Sequence, residues 1–142
     1  MKKIIIIIPI FNDWDSLKQL LLEIDQVIKE IEGIFVDCLV INDASTIKTP
    51  EINRPKNIKS LKILNMKQNK GHAKCNAFGI RYSVQKEKFD FLILMDGDGE
   101  DRPEEIKYLV EKIEENPNLS VVAKRIKRSE GFFFQFLYQL HK

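Results

Sequence analysis

Five consecutive isoleucines, Ile4 to Ile8, constrain this chain more than any other feature. A β-branched run with no polar alternation suits a strand buried on both faces, and such strands belong to parallel sheets with helices on each side. Met1-Lys2-Lys3 before the run imitates the charged start of a signal peptide. However, Pro9, Asn12, Asp13 and Asp15 follow at once and no small-residue cleavage site appears, so a strand is the better reading. No apolar run approaches the roughly 20 residues of a membrane span.

After this run the period changes. Leu17, Leu20, Leu21, Ile24, Ile28 and Ile31 keep helical spacing, with Asp13 or Asp15 as N-cap and Gly33 as terminator. A second buried strand is expected over Ile34 to Ile41, ending at Asn42-Asp43-Ala44-Ser45. A loop with Pro50 and Pro55 follows, then a short strand at Leu61 to Leu64. Gly71 precedes a helix whose buried face should carry Ala73, Ala77, Ile80 and Val84. Further expectations are a strand over Phe89 to Met95, a helix starting at Pro103 with Ile106, Leu109, Val110 and Ile113 as its stripe, and a strand at Leu119 to Ala123. This alternation predicts an α/β fold: a Rossmann-like, mostly parallel sheet with helices on both faces. In such sheets ligands sit beyond the carboxyl ends of the strands.

The 142 residues suit one domain. Their net charge of +2 is unevenly distributed, because residues 124 to 142 hold five Lys or Arg and one Glu, leaving −2 for the rest. A uniformly basic nucleic-acid binder is therefore excluded in favour of one basic terminal segment. Cys38 and Cys75 lack metal-ligand or redox spacing and read as buried free thiols.

The chemistry concentrates in Asp96-Gly97-Asp98-Gly99-Glu100-Asp101, four carboxylates in six positions directly after a strand. Such density repels itself unless a cation or solvent relieves it. Two aspartates two residues apart on a glycine-loosened turn suit a hard divalent ion that keeps sites open for phosphate oxygens. Asp101, Glu104 and Glu105 read instead as acidic residues favoured at a helix N-terminus. Lys70 is a candidate positive charge near such a ligand, with a solvated lysine as the plain alternative. His72 has no partner pattern and reads as an ordinary residue at a helix start.

Four segments, Ile-Ile-Pro-Ile-Phe-Asn-Asp at 7 to 13, Val-Ile-Asn-Asp-Ala-Ser at 40 to 45, Asn-Lys-Gly-His-Ala at 69 to 73 and Leu-Met-Asp-Gly-Asp-Gly-Glu-Asp-Arg-Pro-Glu-Glu-Ile at 94 to 106, together resemble the family 2 glycosyltransferases of the GT-A fold. The resemblance implies transfer of a sugar from a UDP or GDP sugar, with Mg²⁺ or Mn²⁺ on the diphosphate. It places Asp43 at the nucleotide base, with Pro9 and Phe11 lining the base pocket. Asp96 falls at the ribose and diphosphate, Asp98 is a metal ligand, and Glu100 stands where some members have a further ligand. Asp96 and Asp98 are thus the candidate catalytic residues.

Beyond Lys124-Arg125-Ile126-Lys127-Arg128, the segment from Phe132 to Leu140 carries Phe132, Phe133, Phe134, Phe136, Leu137 and Tyr138, too broad an apolar band for one buried stripe. Basic residues beside aromatics suit a membrane surface. The segment resembles the interface helix of polyprenyl-phosphate glycosyltransferases, which implies a polyprenyl-phosphate acceptor met by Arg125 and Arg128 and a place at the inner face of the membrane. Residues 1–128 are accordingly expected to form the nucleotide-sugar-binding domain and 129–142 an amphipathic interface helix, with a homo-oligomer as a further partner class. Family members continue past the length seen here, so the chain reads as a donor-binding part in which turnover by itself is in question. Two other readings stand beside this one. A catalytically silent nucleotide-binding fragment is one. The other is a haloacid-dehalogenase-like phosphatase with Asp96 as nucleophile and Asp98 as acid/base, although that motif normally comes early and continues with Thr. An EF-hand loop is excluded, because Asp101 and Lys107 stand where it needs Gly and Glu.

Overall fold

The computed structural model describes residues 1–115 and 120–121. Strand β1 (Lys2–Ile10) is followed by helix α1 (Trp14–Ile28), strands β2 (Ile34–Asn42) and β3 (Ile58–Asn65), helix α2 (His72–Lys86), strand β4 (Phe91–Leu94) and helix α3 (Glu105–Glu115). The strands form one sheet in the order β3-β2-β1-β4, and every pairing is parallel. The chain builds outward from β1 through β2 to β3, then returns to place β4 on the other side of β1.

The isoleucine run explains this arrangement. Ile4, Ile6, Ile8 and Ile10 point into one apolar cluster with Leu17, Leu20, Leu21 and Ile24 of α1 and Ile106 and Val110 of α3. Ile5 and Ile7 point the other way, into a smaller cluster with Leu39, Ile41 and Cys75 of α2. The period of two along a strand sends alternate side chains to opposite faces, so an unbroken apolar run feeds both layers. As expected, helices cover both faces.

Three local expectations differ from the structure. The buried residues of α2 are Cys75, Gly79 and Ser83, whereas Ala73, Ala77, Ile80 and Val84 are exposed. The cause is a close approach of the helix to the sheet. A Cβ at Gly79 would stand 2.6 Å from Ile7 Cγ2, so only small side chains fit beneath α2. Strand β4 covers only Phe91–Leu94 of the Phe89 to Met95 run, and Pro103 lies in a turn before α3, where Ile106 N–H bonds back to its carbonyl. In addition, Asp13 occupies the N-cap of α1 without a capping side-chain bond, and α1 ends at Ile28, ahead of Ile31 and Gly33. Cys38 and Cys75 are buried free thiols, as read from the sequence. The expected strand at Leu119 to Ala123 lies largely outside the described residues, and the interface helix at 129–142 and its boundary lie wholly outside them.

Candidate functional site

The carboxyl ends of β1, β2 and β4 meet the amino end of α2 around an open cleft of about 190 Å³. Its walls are Pro9, Ile10 and Phe11 after β1, Asp13 before α1, Asp43 after β2, His72 and Cys75 of α2, and Asp96, Gly97 and Asp98 after β4. The chain reverses direction across the sheet between β1 and β4, which is where open α/β sheets leave a crevice for ligands.

The loops around this cleft are cross-tied. Asn42 Oδ1 accepts from the backbone N–H and hydroxyl of Ser45, and Asn42 Nδ2 donates to Asn65 Oδ1 at 2.8 Å. Asn12 Oδ1 accepts the N–H groups of Thr46 and Ile47, while its own N–H donates to Ser45 Oγ at 2.8 Å. Asn12 and Ala44 both adopt positive φ, 62° and 56°. Such conformations persist where the surrounding bonds over-determine them, as these do.

Asp43 is 4% exposed. Its Oδ1 accepts the N–H of Lys70 at 2.7 Å and its Oδ2 the N–H of Gly71 at 2.8 Å. The same carboxylate receives a hydrogen bond from Cys75, whose thiol burial pushes up to about 12, with Asp43 adding to the effect. The β2 end is thereby fastened to the start of α2. Lys70, read as a candidate cation, contributes its backbone amide here and is not among the cleft-lining residues.

Asp96 and Asp98 sit on a turn seated on β1. A Cβ at Gly97 would lie 2.5 Å from Ile10 Cγ2 and 3.0 Å from the Pro9 carbonyl, so the glycine lets this backbone rest directly on the strand end. Asp101 Oδ2 accepts the Asp96 N–H at 2.7 Å; it closes the turn, a different task from the dipole role expected of it. Asp98 Oδ1 accepts the Glu100 N–H at 2.9 Å. Glu100 itself is exposed and is not among the cleft-lining residues. His72, read from the sequence as an unremarkable helix start, places Nε2 2.5 Å from Asp96 Oδ1. The signal lay in two strand-end segments 24 residues apart, which only the parallel pairing brings together.

Of the residues expected at the site, Pro9, Phe11, Asp43, Asp96 and Asp98 converge on the cleft. Arg125 and Arg128 lie outside the described residues. Asp96 and Asp98 offer only hard oxygen donors, the set that Mg²⁺ or Mn²⁺ prefers. Among the described residues no three His, Cys, Asp or Glu side chains are grouped as a complete cage, so an ion here would share its ligands with a bound diphosphate. Nor is any described helix long and apolar enough to cross a membrane.

The sequence matches the family described as Glycosyl transferase family 2 over residues 5–141. It is 29% identical over 114 residues to the uncharacterized protein MJ0544 of Methanocaldococcus jannaschii, covering 78% of this chain and 47% of that protein. It is also 29% identical over 133 residues to the uncharacterized glycosyltransferase sll0501 of Synechocystis sp., covering 92% of this chain and 40% of that protein. The fold resembles the crystal structure of S. aureus TarS 1-349 with a TM-score of 0.58 at 18% identity, covering 86% of this chain and 38% of that one. The chain thus spans less than half the length of each of these proteins.

Proposed function

The chain belongs to glycosyl transferase family 2, and from that premise we propose that its cleft binds the nucleotide diphosphate of a sugar donor, UDP or GDP, for transfer of the sugar to an acceptor. The observation that carries the reading is the convergence of Asp43, Asp96 and Asp98, from two different strand ends, on one cleft at the switch point of the sheet.

In this reading Asp43 receives the base between the backbone of Pro9 and the ring of Phe11. Asp96, held by His72 and by its own N–H on Asp101, faces the ribose and diphosphate. Asp98 would hold Mg²⁺ or Mn²⁺, with Asp96 beside it and Glu100 as a more distant candidate. When bound, the ion would offset the negative charge that develops on the leaving diphosphate. The residues themselves bind and orient: the Glu100 N–H fixes Asp98, and the packing of Gly97 on Ile10 fixes the turn that carries both aspartates.

The test is calorimetric titration of UDP and GDP with and without Mn²⁺. Metal-dependent binding is expected of the native chain, and Asp98→Ala should abolish it while the fold survives, since Asp98 is exposed. Equal metal-dependent affinity in the folded variant would overturn the assignment.

For the acceptor we propose a polyprenyl phosphate at the inner membrane surface, reached through residues 124–141. The support is the sequence alone: Arg125 and Arg128 offer planar forks for phosphate, and the aromatics after Phe132 offer apolar area to a bilayer. A phosphate acceptor is already an anion and attacks without a general base. The intact chain should float with anionic liposomes and a chain ending at Arg128 should not; equal behaviour of the two would reject the membrane role.

A further inference from the structure

Asp43 reaches the cleft with most of its hydrogen-bonding capacity already committed. A carboxylate has about four acceptor positions, two on each oxygen. The N–H of Lys70 takes one on Oδ1 and the N–H of Gly71 takes one on Oδ2. Cys75, wholly buried one turn into α2 and also at the cleft wall, directs its thiol at the same carboxylate. Because the thiol stays protonated far above neutral pH, its S–H remains a donor under all ordinary conditions. One acceptor position is left for a ligand.

Nucleobases differ in what they present to a single carboxylate acceptor. Uracil offers one isolated ring N–H, flanked by carbonyls. Guanine offers a ring N–H with an amino group beside it, two neighbouring donors that call for two acceptors. Cytosine and adenine place an amino group beside a bare ring nitrogen, whose lone pair faces the carboxylate unfavourably. A buried donor without a partner costs binding free energy, so the number of open acceptors acts as a filter. Resting on the reading of the cleft as the donor-nucleotide site, we infer that this chain selects uracil over guanine and that Cys75, by occupying one acceptor position of Asp43, sets the preference.

The inference assigns a specificity role to a residue that does not meet the sugar or the diphosphate. It also accounts for a thiol beneath α2 where apolar packing alone would be met by alanine.

The experiment is calorimetric titration of the 142-residue chain in excess Mn²⁺ with UDP, GDP, CDP, N3-methyl-UDP and inorganic pyrophosphate, for the native chain, Cys75→Ser and Cys75→Ala. UDP should bind about 10-fold or more tightly than GDP, CDP or N3-methyl-UDP. Cys75→Ser keeps a donor on Asp43 and should keep the ratio of UDP to GDP affinity. Cys75→Ala releases an acceptor and should narrow that ratio several-fold, without changing pyrophosphate affinity. Equal binding of UDP and GDP, equal binding of UDP and N3-methyl-UDP, or an unchanged ratio in folded Cys75→Ala would each overturn the inference while leaving the donor-site reading in place. Failure of every nucleotide and of pyrophosphate to bind would overturn both.

Discussion

Helix α1 buries Trp14, Leu17, Leu20, Leu21, Ile24 and Ile28 against one face of the sheet, whereas α2 buries Cys75, Gly79 and Ser83 against the other. The first face stabilises by area: each large aliphatic side chain taken from water contributes about 1.5–3 kcal/mol. The second face trades area for proximity. With almost no side-chain volume between helix and strands, the backbone at the start of α2 comes close enough for Lys70 and Gly71 to donate to Asp43, and for His72 to reach Asp96. One side of the sheet therefore holds the fold, and the other aligns the site.

Substitutions on the two sides should separate these tasks. Leu20→Ala leaves a cavity in the α1 layer and is expected to cost about 3 kcal/mol. Because α1 meets the cleft only through Asp13 at its cap, nucleotide affinity of the folded variant should not change. Gly79→Val forces a branched side chain into a space where even a Cβ stands 2.6 Å from Ile7 Cγ2 and 3.3 Å from Ile41 Cγ1. Its expected cost is smaller, about 2 kcal/mol, because the helix can lift. That lift carries Gly71, His72 and Cys75 with it, so nucleotide binding should fall even where the protein is fully folded. Urea unfolding and titration on the same samples check both halves; equal loss of affinity in the two variants would erase the division.

A weaker tie fastens the far end of α2. Glu87, just past the helix, bonds Lys62 of β3 at 2.7 Å and lies 3.6 Å from Lys3 of β1, which also pairs with Asp37 at 2.9 Å. The Lys62 hydrogen bond, followed by the charges of Lys62 and Lys3, holds the Glu87 carboxyl below its ordinary value of 4.5. A carboxyl whose folded value is depressed contributes stability that is complete above the unfolded value and is lost as pH falls through the folded one. Glu87→Gln should thus cost less than about 1 kcal/mol at neutral pH and nothing once the native glutamate is protonated. Stability curves of the two proteins should converge below pH 4.5; parallel curves would show that the tie carries no weight.

The same contrast explains what could be read in the sequence. Ile4 to Ile8 and the leucines of α1 announce themselves because burial there requires large apolar side chains at a fixed period, and the sheet, its parallel sense and the helix on each face follow. Asp43, Asp96 and Asp98 were legible as carboxylates at strand ends. Hidden were the partners that a close approach creates. Cys75, Gly79 and Ser83 have too little hydrophobicity to mark a face, so the periodicity settled on Ile80 and Val84 instead. His72 had no neighbour in sequence, since its partner Asp96 comes from the next strand but one in chain order.

That displaced periodicity yields the smallest and sharpest expectation. Had the face of Ala73, Ala77, Ile80 and Val84 met the sheet, Val84→Ser would cost about 1.5–3 kcal/mol in lost burial. In the structure Val84 is 65% exposed, and it sits beside Ser83, which is wholly buried. Serine on the outside of a helix loses little packing and little helix propensity relative to valine, so the change should stay within about 0.5 kcal/mol. Ser83→Val is the matching probe. It adds volume on the side that closes on the sheet and should destabilise by about 1–3 kcal/mol, although valine is the more apolar residue and a pattern-based reading would favour it. A stabilised Ser83→Val together with a destabilised Val84→Ser would rotate the helix back to the hydrophobic register and withdraw the close approach on which the Asp43 and Asp96 contacts depend.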